Sequence, residues 1–293
     1  MRVGIGGQAV LEGVMMRGPQ WVSTAVRRPD GPIVEEVEHR PSLLLRYRWA
    51  RLPVVRGVVV LYEALTVGLR ALVYSANQVA ETQAGRALSG REVALSLGIG
   101  LGLAVGLFFV LPTLLVRFVE RSLPAVGFHL VEGVLRVALV VGYIGLVGLA
   151  PEARRVYMYH GAEHKAVNAW ERGVPLVVSE VQRQSRFHPR CGTSFLLVVM
   201  VVAVVVFSLL GKPPLPLRIA SRVVLLPVIA GLAYEVIRAG ARSRWLRPLL
   251  VPGLWLQCLT TREPDDAQVE VAIRALRNVI AREDERLVER TVV

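Results

Sequence analysis

Three of the five histidines in the chain lie in one short segment, between residues 160 and 188. His160 and His164 are four residues apart, so on a helix their rings project from one face, one turn apart. Two imidazoles at that spacing can bind one metal ion, and Glu163 beside them is placed to act as a base. The H-x-x-E-H order is also that of the inverted zinc peptidases. The segment therefore predicts a zinc site in which His160 and His164 are ligands and Glu163 is catalytic.

A second cluster follows in the same segment, where His188 and Cys191 stand three residues apart in a turn that contains proline and glycine. Neutral imidazole and thiolate both suit zinc, so His188 and Cys191 are the predicted second half of the metal site. Two alternatives stay open. Cys191 can be a buried small hydrophobic residue, and Glu163 can form an ion pair with Lys165.

Polar residues inside apolar stretches form another candidate group. His129, Glu132 and Arg136 stand at i, i+3 and i+7 and mark one stripe of a predicted membrane helix. Ionisable residues at that depth face a bundle interior or a cavity and are functional candidates. A simple Glu132–Arg136 pair explains them equally well. Glu235 is either a further carboxylate ligand of the metal or the partner of Arg238.

The composition sets the class of protein to which these residues belong. Of the 293 residues, 53% are hydrophobic and 20% are charged, and the mean hydropathy is +0.48. This is too apolar for an ordinary soluble domain and too charged for a chain made only of lipid-spanning helices. The composition predicts an integral membrane protein with substantial water-facing parts. Two cysteines cannot build a disulfide framework.

The sequence pattern predicts a mainly α, polytopic membrane protein. It has about four transmembrane helices, an N-terminal β-hairpin and a C-terminal amphipathic helix. Two spans are free of charge and two are polar, and each is long enough to cross a hydrocarbon core of about 30 Å. The predicted spans are residues 93–116, 125–149, 194–211 and 217–237. The segment 248–261 is uncharged and too short to span, which favours a re-entrant or interfacial position.

The parts outside these spans have predictions of their own. Residues 1–53 form a cytoplasmic region whose Pro29-Asp30-Gly31 run predicts the turn of the hairpin. Residues 54–92 form an interfacial amphipathic helix and linker, because charges interrupt the apolar stretch 54–76. Residues 150–194 form a cytoplasmic loop with the His/Cys clusters. Residues 262–293 form a cytoplasmic helix, capped near Pro264-Asp265-Asp266 and packed on the protein itself.

The distribution of basic residues predicts the orientation. Residues 1–92 hold 12 Lys and Arg, residues 150–194 hold seven and residues 238–293 hold ten, whereas the short loops 117–124 and 211–218 hold two each. By the positive-inside rule, both termini and the His/Cys loop face the cytoplasm of a bacterial inner membrane. The rule also accounts for the net charge of +12, so no nucleic-acid partner is expected. Membrane lipids are the expected partners, and a homo-oligomer is compatible with the sequence.

Four separated segments resemble the bacterial YqhQ-like family of membrane proteins. They are Gly6–Pro19, Tyr159–Lys165, His188–Phe195 and Pro252–Asp266. The resemblance extends over nearly the whole chain. It implies a domain of unknown function, often described as a predicted metal-dependent enzyme, and it implies no substrate or reaction. The glycine-rich start of the first segment lacks the Lys-Ser/Thr of a phosphate loop, so it predicts no nucleotide site.

Three hypotheses of function follow. The first is a membrane-embedded, zinc-dependent hydrolase with a ligand water and Glu163 as base. The second is a non-catalytic membrane scaffold in which His160, His164, His188 and Cys191 close a structural zinc site. The third is a small transporter or channel that uses the polar second span. The substrate is not predicted.

Overall fold

The chain begins with a four-stranded antiparallel sheet whose strands pair in chain order. The computed structural model describes residues 4–119, 122–242 and 251–291. The strands are β1 (Gly6–Val10), β2 (Gly13–Arg17), β3 (Trp21–Arg27) and β4 (Ile33–His39). The predicted hairpin is β3 and β4. Gly31 adopts a φ of +111° in its turn and donates its N–H to Arg28 O at 2.9 Å. The preceding hairpin, β1–β2, was not predicted, because its glycines obscure the strand pattern.

Twelve α-helices follow in the described residues. They are α1 (Leu43–Arg46), α2 (Val55–Ala84), α3 (Gly90–Val105), α4 (Leu111–Val116), α5 (Ala125–Val147), α6 (Pro151–Arg172), α7 (Val178–Gln182), α8 (Gly192–Leu209), α9 (Leu215–Val224), α10 (Leu226–Arg242), α11 (Val251–Thr260) and α12 (Asp266–Thr291). A 3-10 turn, Trp49–Arg51, separates α1 from α2. A π-helical turn, Gly106–Val110, joins α3 to α4, and a 3-10 turn follows α4. The chain is therefore a mainly α membrane protein, as its composition predicts.

Within the described ranges, four helical segments are long and apolar enough to cross a membrane. They are Val55–Ala84, Gly90–Val119, Ala125–Val147 and Gly192–Leu209. The last three agree with predicted spans. The number rises to five if the bent pair α9 and α10 is one span.

One predicted span is bent rather than a single helix, and one segment predicted to be interfacial has the length and composition of a span. The span 217–237 is not one helix: α9 and α10 meet at a bend of 49°. Pro227 lies at the start of α10, where its missing N–H and its ring break the helical hydrogen bonding. The segment 54–76 was predicted to lie in the interface because charges interrupt it. The helix that contains it, α2, has 30 residues and meets the length and composition of a span.

The inner face of α2 packs on the rest of the protein. Val67 and Ala71 pack against the apolar side chains of β1, β2 and β3. Near its start, α2 crosses α10 closely, where a Cβ on Gly57 would lie 2.8 Å from the Cα of Gly231. The helix therefore connects the sheet to the membrane bundle.

The main water-facing core lies between the sheet, α6, α7 and α12. The predicted apolar stripe of α12 is buried there through Val269, Ile273 and Leu276. Asp265 caps this helix. Its Oδ1 accepts from Gln268 N–H at 2.8 Å, and its own N–H donates to the Gln268 side chain at 3.1 Å. The C-terminal helix thus packs on the protein itself, as predicted.

Candidate metal centre

The two histidines of the first cluster lie on α6, which runs unbroken through residues 151–172. The ring centroids of His160 and His164 are 4.4 Å apart, so the i, i+4 spacing brings the rings together as predicted. His164 is almost fully buried and His160 is half-buried. α6 therefore presents two imidazoles to one point.

Backbone carbonyls hold both rings in the same tautomer. His160 Nδ1 is 2.8 Å from Thr260 O, and His164 Nδ1 is 2.6 Å from Arg186 O. A carbonyl oxygen can only accept, so each Nδ1 carries the proton and each Nε2 is left with its lone pair. Metal-binding histidines usually have this arrangement, with the second ring nitrogen donating to a carbonyl or carboxylate.

Cys191 completes a group of three ligand atoms. Its Sγ is 3.2 Å from His160 Nε2, and one ligand atom from each of His160, His164 and Cys191 lies within 4.8 Å of the other two. Cys191 is the N-cap residue of α8 and receives the Thr193 N–H at 3.5 Å. Two imidazoles and one thiolate form a donor set that suits zinc.

Glu163 lies beside this group in a closed environment. Its Oε2 is 3.5 Å from His164 Nε2, and burial raises the pKa of this carboxyl above its usual value. The backbone N–H of Gly7 on β1 donates to Glu163. A Cβ on Gly7 would stand only 2.7 Å from Glu163 Cγ, so only glycine lets β1 approach so closely. The glycine-rich start of the chain therefore packs on the base predicted at the site.

His188, the fourth predicted ligand, lies next to the group of three rather than in it. Its ring centroid is 5.8 Å from that of His164, and its Nδ1 accepts from Arg190 N–H at 3.3 Å. Its Nε2 is buried, lies 3.4 Å from Glu171 Oε1 and has no hydrogen-bond partner among the described residues. Burial and the neighbouring His164 lower the pKa of His188, which favours the neutral ring.

α11 and the residues that follow it support the site from the other side. The Gln257 side chain forms two hydrogen bonds with the main chain of His188. Its Oε1 accepts from His188 N–H at 2.9 Å, and its Nε2 donates to His188 O at 2.8 Å. Gly161 faces Arg262 O so closely that any side chain would collide with it. Gly7, Gln257 and Thr260 were not predicted as site residues. Their only signal in the sequence is that they belong to the segments that carry the family resemblance.

Glu235 does not lie at the metal centre. Its carboxylate forms an ion pair with Arg56 of α2 and accepts from Val54 N–H at 3.2 Å. Of the two roles considered for Glu235, ion pairing is the one the geometry shows. The main partner is Arg56, far away in the sequence, rather than the neighbouring Arg238.

The polar stripe of α5 forms a second, separate cluster. Glu132 is fully buried and accepts from Arg136 at 3.0 Å and from Thr113 at 3.0 Å. Arg222 of α9 donates to the same carboxylate at 2.5 Å and 3.1 Å, and His129 lies 3.2 Å from it. The predicted Glu132–Arg136 pair is present, and Arg222 is an additional partner.

Comparison with known proteins agrees with the earlier resemblance. A family model described as "Protein of unknown function (DUF1385)" matches residues 52–282. The uncharacterized protein YqhQ of Bacillus subtilis (strain 168) is 36% identical over 294 aligned positions, which cover 94% of this chain and 92% of that protein. No solved structure matches the chain. On these two matches, the chain belongs to the DUF1385 family of proteins of unknown function.

Proposed function

We propose that this protein is a membrane-embedded, metal-dependent hydrolase with a zinc site on the cytoplasmic side. His160, His164 and Cys191 are the ligands in this proposal, and His188 lies at the edge of the site. The observation that carries it is the grouping of one ligand atom each from His160, His164 and Cys191 within 4.8 Å, with both histidine rings oriented through Nδ1 by backbone carbonyls. The cytoplasmic placement follows from the basic residues of the segment 150–194 and of both termini.

The neighbouring side chains have distinct roles in such a reaction. A zinc ion with three protein ligands keeps one position open and lowers the pKa of a water there to about 7. Glu163, next to His164, would accept the proton of the attacking water and pass it to the leaving group. Gly7 N–H would orient the carboxylate.

Metal analysis of the purified full-length protein tests the proposal. After purification without chelators, we expect about one zinc per chain, as for a single three-ligand site. Replacing both His160 and His164 with Ala should reduce this to less than about 0.1. His39→Ala, which alters an exposed histidine outside the site, should keep the metal. Glu163→Gln should keep the metal and abolish hydrolysis in a screen of peptide and ester probes. Wild-type protein that holds no zinc would overturn the proposal.

The position of His188 favours a second candidate, a non-catalytic scaffold with a structural zinc site. His188 lies close to His164, and its buried Nε2 has no partner among the described residues. If Nδ1 gave up the Arg190 N–H and took the ring proton, Nε2 would close the shell as a fourth ligand. X-ray absorption separates the two functions, because a hydrolase site has an oxygen neighbour from water and a closed site has only nitrogen and sulfur. His188→Ala should retain zinc in the hydrolase and lose it in the scaffold.

A further inference from the structure

The short connection between the sheet and α2 exposes an unusual amount of apolar surface. Leu45, Tyr47, Trp49 and Leu52 are 51%, 37%, 56% and 55% exposed. Tyr47 and Trp49 stack on each other with ring centroids 5.8 Å apart. Large side chains exposed together in this way mark a surface that is covered by something else in the cell.

The same connection carries a concentrated positive charge. Residues 40–56 contain five arginines and no acidic residue. The outer two are paired, Arg40 with Glu38 and Arg56 with Glu235. The inner three, Arg46, Arg48 and Arg51, are exposed, and no carboxylate in the described part of the chain forms an ion pair with them.

Internal contacts hold this segment in a defined shape. Arg51 Nε donates to Leu44 O at 2.6 Å, which ties the 3-10 turn back onto α1. Arg46 lies over the Tyr47 ring at 5.3 Å. Ser42 and the N–H of Leu43 contact Glu63 of α2, so α1 is fixed to the helix that follows. The arginines and aromatic rings are therefore displayed on a built surface.

The outer face of α2 continues this apolar surface. Tyr62, Leu65, Leu69 and Leu72 are exposed and stand at i, i+3, i+7 and i+10, on one stripe. The opposite stripe packs on the sheet. In a membrane protein, an exposed apolar stripe of this kind faces acyl chains, so the connection lies at the border between lipid and water.

We propose that residues 43–53 bind the headgroups of anionic phospholipids. Guanidinium groups form bidentate hydrogen bonds with phosphate, and Trp and Tyr favour the headgroup level of a bilayer. Leu45 and Leu52 would enter the acyl region beside the outer face of α2. Charge complementarity selects the anionic membrane surface as the occupant, because the segment offers three exposed cations and no acidic group. The proposal is independent of the metal site.

Trp49 reports on this contact directly. The full-length protein is reconstituted in nanodiscs that contain either brominated phosphatidylcholine or brominated phosphatidylglycerol, and the quenching of Trp emission is measured. The difference between wild type and Trp49→Phe gives the contribution of Trp49. We expect stronger quenching of Trp49 by the phosphatidylglycerol form. In native mass spectrometry, wild-type protein should retain bound phosphatidylglycerol. Each arginine near an anionic surface contributes a factor of about five, so replacing Arg46, Arg48 and Arg51 with Gln should weaken retention at least about tenfold.

Matched controls separate this contact from a general effect of positive charge. Replacing the exposed Arg172, Arg183 and Arg274 with Gln removes the same charge elsewhere and should leave lipid retention unchanged. Thermal unfolding in detergent shows whether each variant is folded. Trp49 quenched by aqueous acrylamide but not by brominated lipid would overturn the proposal. Equal quenching by both lipids, or displacement of the lipid by millimolar inorganic phosphate, would also overturn it. Concentration-dependent shielding of Trp49 in neutral detergent would instead identify a second copy as the occupant.

Discussion

Two backbone carbonyls determine what the histidines of α6 can do. Because Thr260 O and Arg186 O accept the Nδ1 protons, the rings of His160 and His164 are oriented without a metal, and the basic nitrogen of His160 lies 3.2 Å from Cys191 Sγ. Ligands that are oriented in advance lose less conformational entropy on binding. Both carbonyls lie outside α6, so the site depends on the segments around it as much as on the helix that carries its histidines.

The contact between Gly7 and Glu163 leads to a prediction about stability. In Gly7→Ala, the new methyl group would lie 2.7 Å from Glu163 Cγ and 2.8 Å from Met15 O. Overpacking of this kind typically costs about 1–3 kcal/mol. We therefore expect Gly7→Ala to lower the unfolding temperature in detergent and, because Glu163 is displaced, to reduce any hydrolysis more strongly than metal content.

Gly6 provides the matched control, since a Cβ there would meet no atom within 4 Å. Gly6→Ala should change the free energy of unfolding by less than about 0.5 kcal/mol. The cost of Gly7→Ala should also become smaller in a Glu163→Ala background, because part of the clash is removed. If Gly6→Ala and Gly7→Ala changed the free energy of unfolding equally, the close contact between β1 and Glu163 would not contribute to stability.

The sequence brings out the candidate ligands more readily than the residues that orient them. The i, i+4 histidines are a local pattern, and helical geometry alone brings them together. Cys191 follows because imidazole and thiolate share a preferred metal. Thr260 acts through its backbone carbonyl, which leaves no signature in residue type. Gly7 touches Glu163 across more than 150 positions of the chain, so only the folded structure relates them.

At the scale of the helices, the buried cluster around Glu132 connects three elements. Thr113 comes from α4, His129 and Arg136 from α5, and Arg222 from α9. One carboxylate thus holds together helices that otherwise have mainly apolar contacts. Two arginines against one glutamate leave no spare acceptor on Glu132, so the cluster is built as a structural junction.

Glu132→Gln tests this junction. The substitution leaves Arg136 and Arg222 buried without a carboxylate, and breaking a buried ion pair typically costs about 3–5 kcal/mol. We expect a marked drop in the unfolding temperature in detergent. Glu180→Gln should have little effect, since it removes an ion pair with the exposed Arg183. A Glu132→Gln variant that is as stable as wild type, but has altered ion gradients in cells, would favour the transporter hypothesis.

The limits of prediction at this scale also have physical causes. Long apolar runs, two of them free of charge, predicted three helices of membrane-spanning length, because the length of a span is set by the bilayer. The break between α9 and α10 was missed, although Pro227 is visible in the sequence, because proline is often tolerated within membrane helices. In the sequence, Arg222 is only a single charge within an apolar run. Its partner Glu132 stands 90 positions earlier, and no local pattern connects them.

At the scale of the whole molecule, the four segments that carry the family resemblance meet around α6. β1 contacts Glu163, Cys191 precedes α8, and the end of α11 supplies the acceptor for His160. The sheet, α6 and α12 share one apolar core, which fixes the N-terminal and C-terminal parts of the chain to the candidate site. Any substrate must therefore reach the site from the side of the membrane on which this assembly lies.

The last prediction concerns which side that is. Basic residues are concentrated in both terminal regions and in residues 150–194, so we expect this assembly to lie in the cytoplasm. Ser122 and Ser179 are exposed serines on opposite sides of the predicted membrane, so Ser→Cys changes little at either position. In a background without Cys191 and Cys258, an impermeant maleimide applied to intact cells should label Ser122→Cys. Ser179→Cys should react only after permeabilisation. The reverse pattern would place α6 outside the cell, where an oxidising environment would compete with the thiolate ligand that the zinc site requires.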